Sequence, residues 1–146
     1  MQNMVVSKGM RWQMPLLVVV FMVLSCSSMI GVFDQQAYVN STTLKAEAST
    51  LMDQATEPFA EHADEVRAFM TRVEAAYEYA NGIPKNELSA RQWRIIKDPE
   101  GNLLGGFFKL WEKNGTLLKG DLEANKKNTL AGFDEIIKLE AAKIKK

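Results

Sequence analysis

The chain has one cysteine, Cys26, and one histidine, His62, in 146 residues. A single cysteine excludes a disulfide within the chain. A single histidine excludes a two-histidine metal site and any triad or dyad that needs a histidine elsewhere. Charge of one sign is also missing. Eighteen Lys and Arg face eighteen Asp and Glu, and such a balance does not suggest nucleic acid. No Gly-x-Ser-x-Gly turn occurs. The glycines at 101, 105 and 106 are not followed by Gly-Lys-Ser/Thr, so they lack phosphate-loop spacing. There is no low-complexity tract and no long repeat array. A carboxylate-only hydrolase needs just two acids, but a helical pattern lends that chemistry no support. The expectation is a non-enzyme with no catalytic residue, no metal ligand set and no cofactor.

Acids are absent from the first 33 residues, where the only charges are Lys8 and Arg11. These two form a short basic n-region. An apolar run, Leu16 to Leu24, comes next. As a helix it would reach about 14 Å, against the roughly 30 Å of a bilayer's hydrocarbon layer. That length suits the h-region of an export signal. Next stand Val23, Leu24, Ser25 and Cys26. This segment resembles the lipobox of bacterial lipoproteins, where a small residue precedes the cysteine; Leu24 is a less usual occupant of its place. The resemblance covers the first 26 residues or so and identifies no domain family. It implies cleavage before Cys26, acylation of that cysteine and anchorage in the cell envelope. Since Ser27 comes after the cysteine rather than an aspartate, the family's sorting rule favours the outer membrane of a Gram-negative cell, facing the periplasm. The chain then divides into a signal at 1–25, a lipidated cysteine and spacer at 26–43, and one helical domain at 44–146. A second reading keeps the signal. No charge occurs from Met14 to Phe33, and twenty residues are enough to span a bilayer. Lys8 and Arg11 would then stay in the cytoplasm and the domain would lie outside the inner membrane.

From Leu44 onward apolar residues recur at steps of three or four: Leu44, Ala48, Leu51, Ala55, Phe59, His62, Val66, Phe69, Val73, Ala76 and Ala80. This is one stripe of an amphipathic helix. Pro58 lies inside it and predicts a kink or break, with Thr56 as the cap of a second helix. Asn81-Gly82 and then Pro84 end the stripe. Ser89 and Gln92 have capping-box spacing, and Leu88 with Trp93 has that of a hydrophobic staple. Asp98, Pro99 and Glu100 resemble another helix start. Leu103, Leu104, Phe107, Phe108 and Trp111 lie on one side of the helix expected there. In the last segment, about 121–145, Leu122, Leu130, Phe133, Ile137 and Ile144 can share a face, and Lys143, Lys145 and Lys146 suit a helix C-terminus.

The fold expected is all-α, a small helical bundle with one long helix, kinked or broken at Pro58. The alternative is an α+β fold in which 93–122 forms a small antiparallel meander, since Asn114-Gly115 is also a hairpin signal. The adjacent pairs Leu103-Leu104 and Phe107-Phe108 break the alternation that strands require.

Three features invite functional readings. Trp93, Phe107 and Trp111, with Arg91, Arg94 and Lys97 beside them, would suit a partner-binding surface; as bulky residues on short helices they would equally suit a core, which is the preferred reading. His62 has Glu61, Asp64 and Glu65 nearby, yet a histidine at the edge of the stripe is the simpler account. The terminal Lys146, with the lipobox and a helical body, resembles the murein lipoprotein, in which the last lysine is joined to peptidoglycan. This body is longer and is interrupted by Pro84 and Pro99. The function expected is an envelope-anchored interaction module with a protein partner or a second copy. The tether through Lys146 and the single-pass membrane protein are the alternatives.

Overall fold

The computed structural model describes residues 31–145. Cys26, Lys8, Arg11 and Lys146 lie outside them. Five helices make up the described chain, with no strand among the described residues: α1 (Gln35–Asp53), α2 (Phe59–Gly82), α3 (Glu87–Lys97), α4 (Leu104–Asn114) and α5 (Lys119–Ala142). Short 3-10 turns come after α1 and α5. The fold is all-α, and the meander is ruled out at 93–122. Gly115 shows why. Its φ of 77° is a left-handed value that ends α4, and its N–H returns to the Trp111 carbonyl at 2.8 Å. Asn114-Gly115 is therefore a helix stop rather than a hairpin turn.

The stripe folds as its spacing requires, but as two helices. Leu44, Ala48, Leu51 and Ala55 are buried on one side of the break, and Val66, Phe69, Val73, Ala76 and Ala80 on the other. The break lies at Pro58, which precedes the first helical residue of α2. Its ring disfavours the helical region for Glu57, which is extended at φ −91°, ψ 164°. Thr56 does not cap α2; it closes the 3-10 turn Gln54–Thr56. The chain reverses there, so both halves of one stripe face the same core.

Ion pairs and aromatic contacts give the topology. Glu47 on α1 meets Arg72 on α2, and Glu74 on α2 meets Lys97 on α3. The Trp93 ring on α3 stands edge-on to Phe133 of α5 at 5.7 Å. Asp134 of α5 then returns to Lys45 of α1. Each pairing is antiparallel, so α1, α2, α3 and α5 form an up-down-up-down bundle. The short α4 packs on α2 and α3 at one end, with Phe108 edge-on to Phe69 at 6.0 Å.

Several boundaries differ from expectation. The segment 34–43 is not a spacer but the start of α1. Asp34 caps it by accepting the Ala37 N–H at 2.9 Å, and Ala37 and Ser41 carry the buried stripe backward. A small polar residue in the stripe concealed this. The helix α3 starts at Glu87, ahead of Ser89. The capping box is not formed, since the Ser89 hydroxyl is buried without a partner, and no staple forms because Leu88 is 53% exposed while Trp93 is buried. Asp98 does not begin a helix. Its carboxylate accepts the Glu100 N–H at 2.9 Å and its carbonyl accepts the Gly101 N–H at 3.1 Å, which makes a turn. Finally, α5 buries Leu122, Thr129, Phe133, Ile136 and Glu140, leaving Leu130 and Ile137 half-covered and Ile144 exposed. Its inward face is offset by about one residue from the most apolar one.

Gly105 and Gly106 explain the late start of α4. A Cβ on Gly105 would lie 2.3 Å from the Lys97 carbonyl oxygen, and one on Gly106 only 1.8 Å from that of Gly101. The turn at 97–101 thus lies directly on the first turn of α4, and only glycines permit that approach. Gly106→Ala is expected to destabilise the bundle by about 3 kcal/mol or more. Gly120→Ala, with nothing within 4 Å of its Cβ, should instead be neutral or stabilise by up to about 1 kcal/mol. Urea unfolding of the two variants measures both; a neutral Gly106→Ala would mean that the turn does not rest on α4.

Candidate functional site

The residues proposed from sequence as a partner surface are not on the surface. Trp93, Phe107 and Trp111 are 2%, 1% and 0% exposed. Short helices need large side chains to fill the space beside long ones, and these rings do so. Of the basic residues nearby, Arg91 is exposed, and Lys97 and Arg94 have structural partners. Lys97 Nζ lies 3.9 Å from the centre of the Tyr77 ring and 2.7 Å from Glu74, and Arg94 reaches the Tyr77 hydroxyl at 3.3 Å. Together they clasp α3 to α2.

His62 is placed as the edge-of-stripe reading expects. Its side chain is 13% exposed, its ring centre lies 5.4 Å from that of Trp111, and its Nε2 lies 2.8 Å from Glu57 Oε2. Trp111 Nε1 donates to the Glu57 carbonyl at 3.0 Å, so histidine and tryptophan close this end together. Glu57, Glu61 and His62 each bring one ligand atom within 4.8 Å of the others, and these are the residues that could hold a cation. Both carboxylates are exposed. An imidazole paired with a carboxylate is half of a hydrolytic relay; among the described residues the ring's polar partners are the acids Glu57 and Glu65.

A second cluster was not visible in the sequence. Lys143, just past α5, and Glu140 form an ion pair at 2.6 Å with side chains 4% and 1% exposed. Lys143 Nζ also donates to Asn86 Oδ1, and Asn86 Nδ2 donates to the Ala80 carbonyl at 3.0 Å. The ends of α2 and α5 and the start of α3 are thereby joined through one ammonium group. The other carboxylate oxygen, Glu140 Oε1, has no hydrogen-bond partner. The only hint in the sequence was the i,i+3 spacing of the two charges, which surface helices share. Lys143 stands at the end of α5, as the helix dipole prefers, and its burial beside Glu140 adds to that.

An open feature lies between α1 and α2. A groove of about 910 Å³ runs along them, with Val39, Thr43, Ala75 and Tyr79 at its sides and Leu44 and Ala76 at its floor. A second hollow of about 590 Å³ continues toward Leu51 and Phe69 beyond the Glu47–Arg72 pair, which lines both. Val39 and Tyr79 are 42% and 40% exposed. At the head of the groove the Tyr79 hydroxyl donates to the Asp34 carboxylate, with 3.1 Å to each oxygen. That hydrogen bond, with slight desolvation and the nearby negative charge behind it, raises the Tyr79 pKa above the 10.0 of a free tyrosine. Asp34 therefore caps α1 and joins it to α2.

No protein-family model, curated protein or solved structure matches the chain. Its function is therefore argued from its own residues.

Two outcomes test this geometry. Glu140→Ala leaves an unpaired buried ammonium and is expected to cost about 3–5 kcal/mol, whereas Glu140→Met with Lys143→Met should recover most of the loss. A loss below about 1 kcal/mol on chemical denaturation would mean that the pair is open to water. For Tyr79, a raised folded pKa means stabilisation that is full below pH 10 and is lost as pH rises through the folded value. Ultraviolet titration should show Tyr79 ionising above the ordinary tyrosine value, and Asp34→Asn should lower its pKa.

Proposed function

We propose that this protein is an envelope-anchored, non-enzymatic interaction module of a bacterial cell, attached through Cys26 and binding a protein partner along the α1–α2 groove. The groove carries the reading. Val39 and Tyr79 stand partly exposed over it, with Leu44 and Ala76 below them. An open, partly apolar groove between two helices is the shape that receives an amphipathic segment of another protein. The Glu47–Arg72 pair crosses it and offers both signs of charge to such a partner. The lipobox-like segment at 23–26 supports the anchor. No helix of the described residues is long and apolar enough to cross a membrane, so a retained signal would have to span it with residues before Gly31.

The tether reading has less support. A tether bridges a gap, so its two attachment points should lie at opposite ends of the body. Here the chain begins its described course at Gly31, whose N–H donates to the Lys85 carbonyl at 2.9 Å. Lys85 and Lys143 line one small cavity. The two termini of the bundle are thus at the same end.

Val39→Arg and Ala75→Arg fill the groove with charge at exposed positions. Both should leave the unfolding midpoint within about 0.5 kcal/mol of the parent and abolish the partner cross-linked to the native protein in envelopes. Retention of that partner would remove the groove from the interaction. Turnover of an envelope substrate by the purified protein, lost on a carboxylate substitution, would overturn the non-enzymatic assignment. Intact mass of the membrane-extracted protein, compared with Cys26→Ser, tests the anchor. A product starting at Cys26 with acyl chains is expected; an unmodified chain retaining Lys8 and Arg11 would mean a transmembrane anchor.

A further inference from the structure

Exposed apolar residues occur at several places on the bundle, with Leu110 and Leu118 at the α4 end and Ile95 on α3, and three others gather at one place. Val32, Leu88 and Ile144 are 85%, 53% and 60% exposed. Val32 adjoins Gly31, which is buried against the loop before α3; a Cβ on Gly31 would lie 2.9 Å from the Pro84 carbonyl oxygen. Leu88 is in the first turn of α3, and Ile144 lies in the turn Lys143–Lys145 just past α5. All three sit at one end of the bundle. Leu88, Leu139 and Ala142 line a small hollow of about 40 Å³ between α3 and α5 at that same end. Three large aliphatic side chains beside an apolar hollow are costly to leave in water.

The position of the chain indicates what covers them. The only covalent route from the bundle to the apolar run at 16–24 leaves from Gly31, and Gly31 is held to Lys85 at this end. From Cys26 to Gly31 is five residues, at most about 18 Å of extended chain. An anchor there keeps this end within that distance of the lipid. Charge at this end is mixed: Lys85 is exposed, Lys138 is paired with the exposed Glu135, and Glu78 and Glu87 are exposed acids. Lys85 also has φ 61°, the one positive φ at a non-glycine among the described residues. Glycine or asparagine would occupy that conformation with less strain. A lysine at a strained loop position points to a use for its charge.

We propose that the end of the bundle formed by Val32, Lys85, Leu88 and Ile144 rests on the surface of the lipid bilayer that holds the N-terminus, so that the bundle stands on the membrane by the start of α3 and the end of α5. The inference depends on the anchored reading above and specifies the orientation of the anchored domain. It places the end closed by α4, His62 and Trp111 farthest from the lipid, with the α1–α2 groove running up the side.

Full-length protein reconstituted in vesicles of phosphatidylethanolamine and phosphatidylglycerol tests it. An environment-sensitive fluorophore is placed at Leu88→Cys, at Ile144→Cys or at Leu118→Cys; Leu118 is 76% exposed at the opposite end. Circular dichroism confirms that each variant is folded, which is expected for exposed sites. Iodide should quench positions 88 and 144 at least threefold less than position 118, and nitroxide-bearing lipids should quench 88 and 144 but not 118. Vesicles of phosphatidylcholine alone should reduce the difference, because Lys85 loses its anionic partners. If the protein floats with the vesicles but all three positions respond alike, the orientation is wrong while the anchor stands. If 88 and 144 are shielded from iodide yet insensitive to nitroxide lipid, residues 1–30 cover this face instead, and the proposal is likewise overturned. Failure to float with the vesicles at all removes the anchor and the orientation together.

Discussion

The break at Pro58 is the constraint on which the bundle depends. Without it the stripe from Leu44 to Ala80 would be one straight helix, about 55 Å long at 1.5 Å per residue, with its apolar face unpaired. Proline removes one N–H and denies helical geometry to the residue before it. The chain then reverses, and the two halves of the stripe meet. The backbone groups freed by the break are used rather than lost. Phe59 N–H donates to the Gly115 carbonyl at 2.7 Å, and Leu117 N–H donates to the Ala55 carbonyl at 2.8 Å. Two loops distant in sequence are thereby joined at one end. Trp111 adds its indole N–H to the Glu57 carbonyl. Breaking the first helix thus also fixes where α4 ends and α5 begins.

The opposite end is held by different means. Instead of backbone bridges it has the Lys143 ammonium, which joins Glu140 and Asn86 away from solvent. A buried ion pair is a weak source of net stability, because desolvation offsets most of the attraction. Its effect is specificity. With Asn86 also bonded to the Ala80 carbonyl, the register of three helix ends is set by groups that tolerate no other partner. An apolar replacement would hold the helices together but would not define their ends as narrowly.

Much of the fold was legible because burial obeys the helical period. Nine of the eleven stripe positions from Leu44 to Ala80 are buried, and the two half-buried ones, Phe59 and His62, flank the break. The stops at Gly82, Lys97 and Asn114 were likewise legible, each from a glycine or proline with a definite backbone requirement. The illegible part falls into one physical class: polar or small side chains that occupy the interior. Ser41 hides the first two turns of α1. Thr129 and Glu140 take the place of Leu130 and Ile137 on the buried face of α5. Periodicity counts apolar residues, so it assigns each of these to solvent. The Ser89–Gln92 capping box failed for a related reason, since Ser89 is drawn into the core by Ala90, Trp93 and Ile96 around it, and Asn86 takes the start of the helix. As for the candidate groove, it arises from the spacing of two helices brought together by the Pro58 reversal, and no local pattern in either encodes it.

The two ends differ in a way that bears on function. Around α4 the large rings are enclosed and the charges lie outside, as at Asp53 with Lys126 and Glu100 with Lys109, beside the exposed Leu110 and Leu118. Around the start of α3 the order is reversed: the charges of Glu140 and Lys143 are inside, and Leu88 and Ile144 are outside. A bundle alone in water gains nothing from that inversion, since its two buried charges and its exposed aliphatic groups are both in unfavourable media. The inversion becomes consistent once water is not the solvent on that side. On the proposed orientation lipid would cover the aliphatic groups, and the buried pair would hold three helix ends together where the chain leaves for its anchor. Two measurable quantities, the depth of Leu88 and the stability lost in Glu140→Ala, therefore probe one arrangement. If the end rests on lipid, Glu140→Ala should cost less in vesicles than in solution, because a bilayer pressed against α3 and α5 opposes their separation. Equal losses in the two media would mean that the inverted end is a matter of internal packing alone.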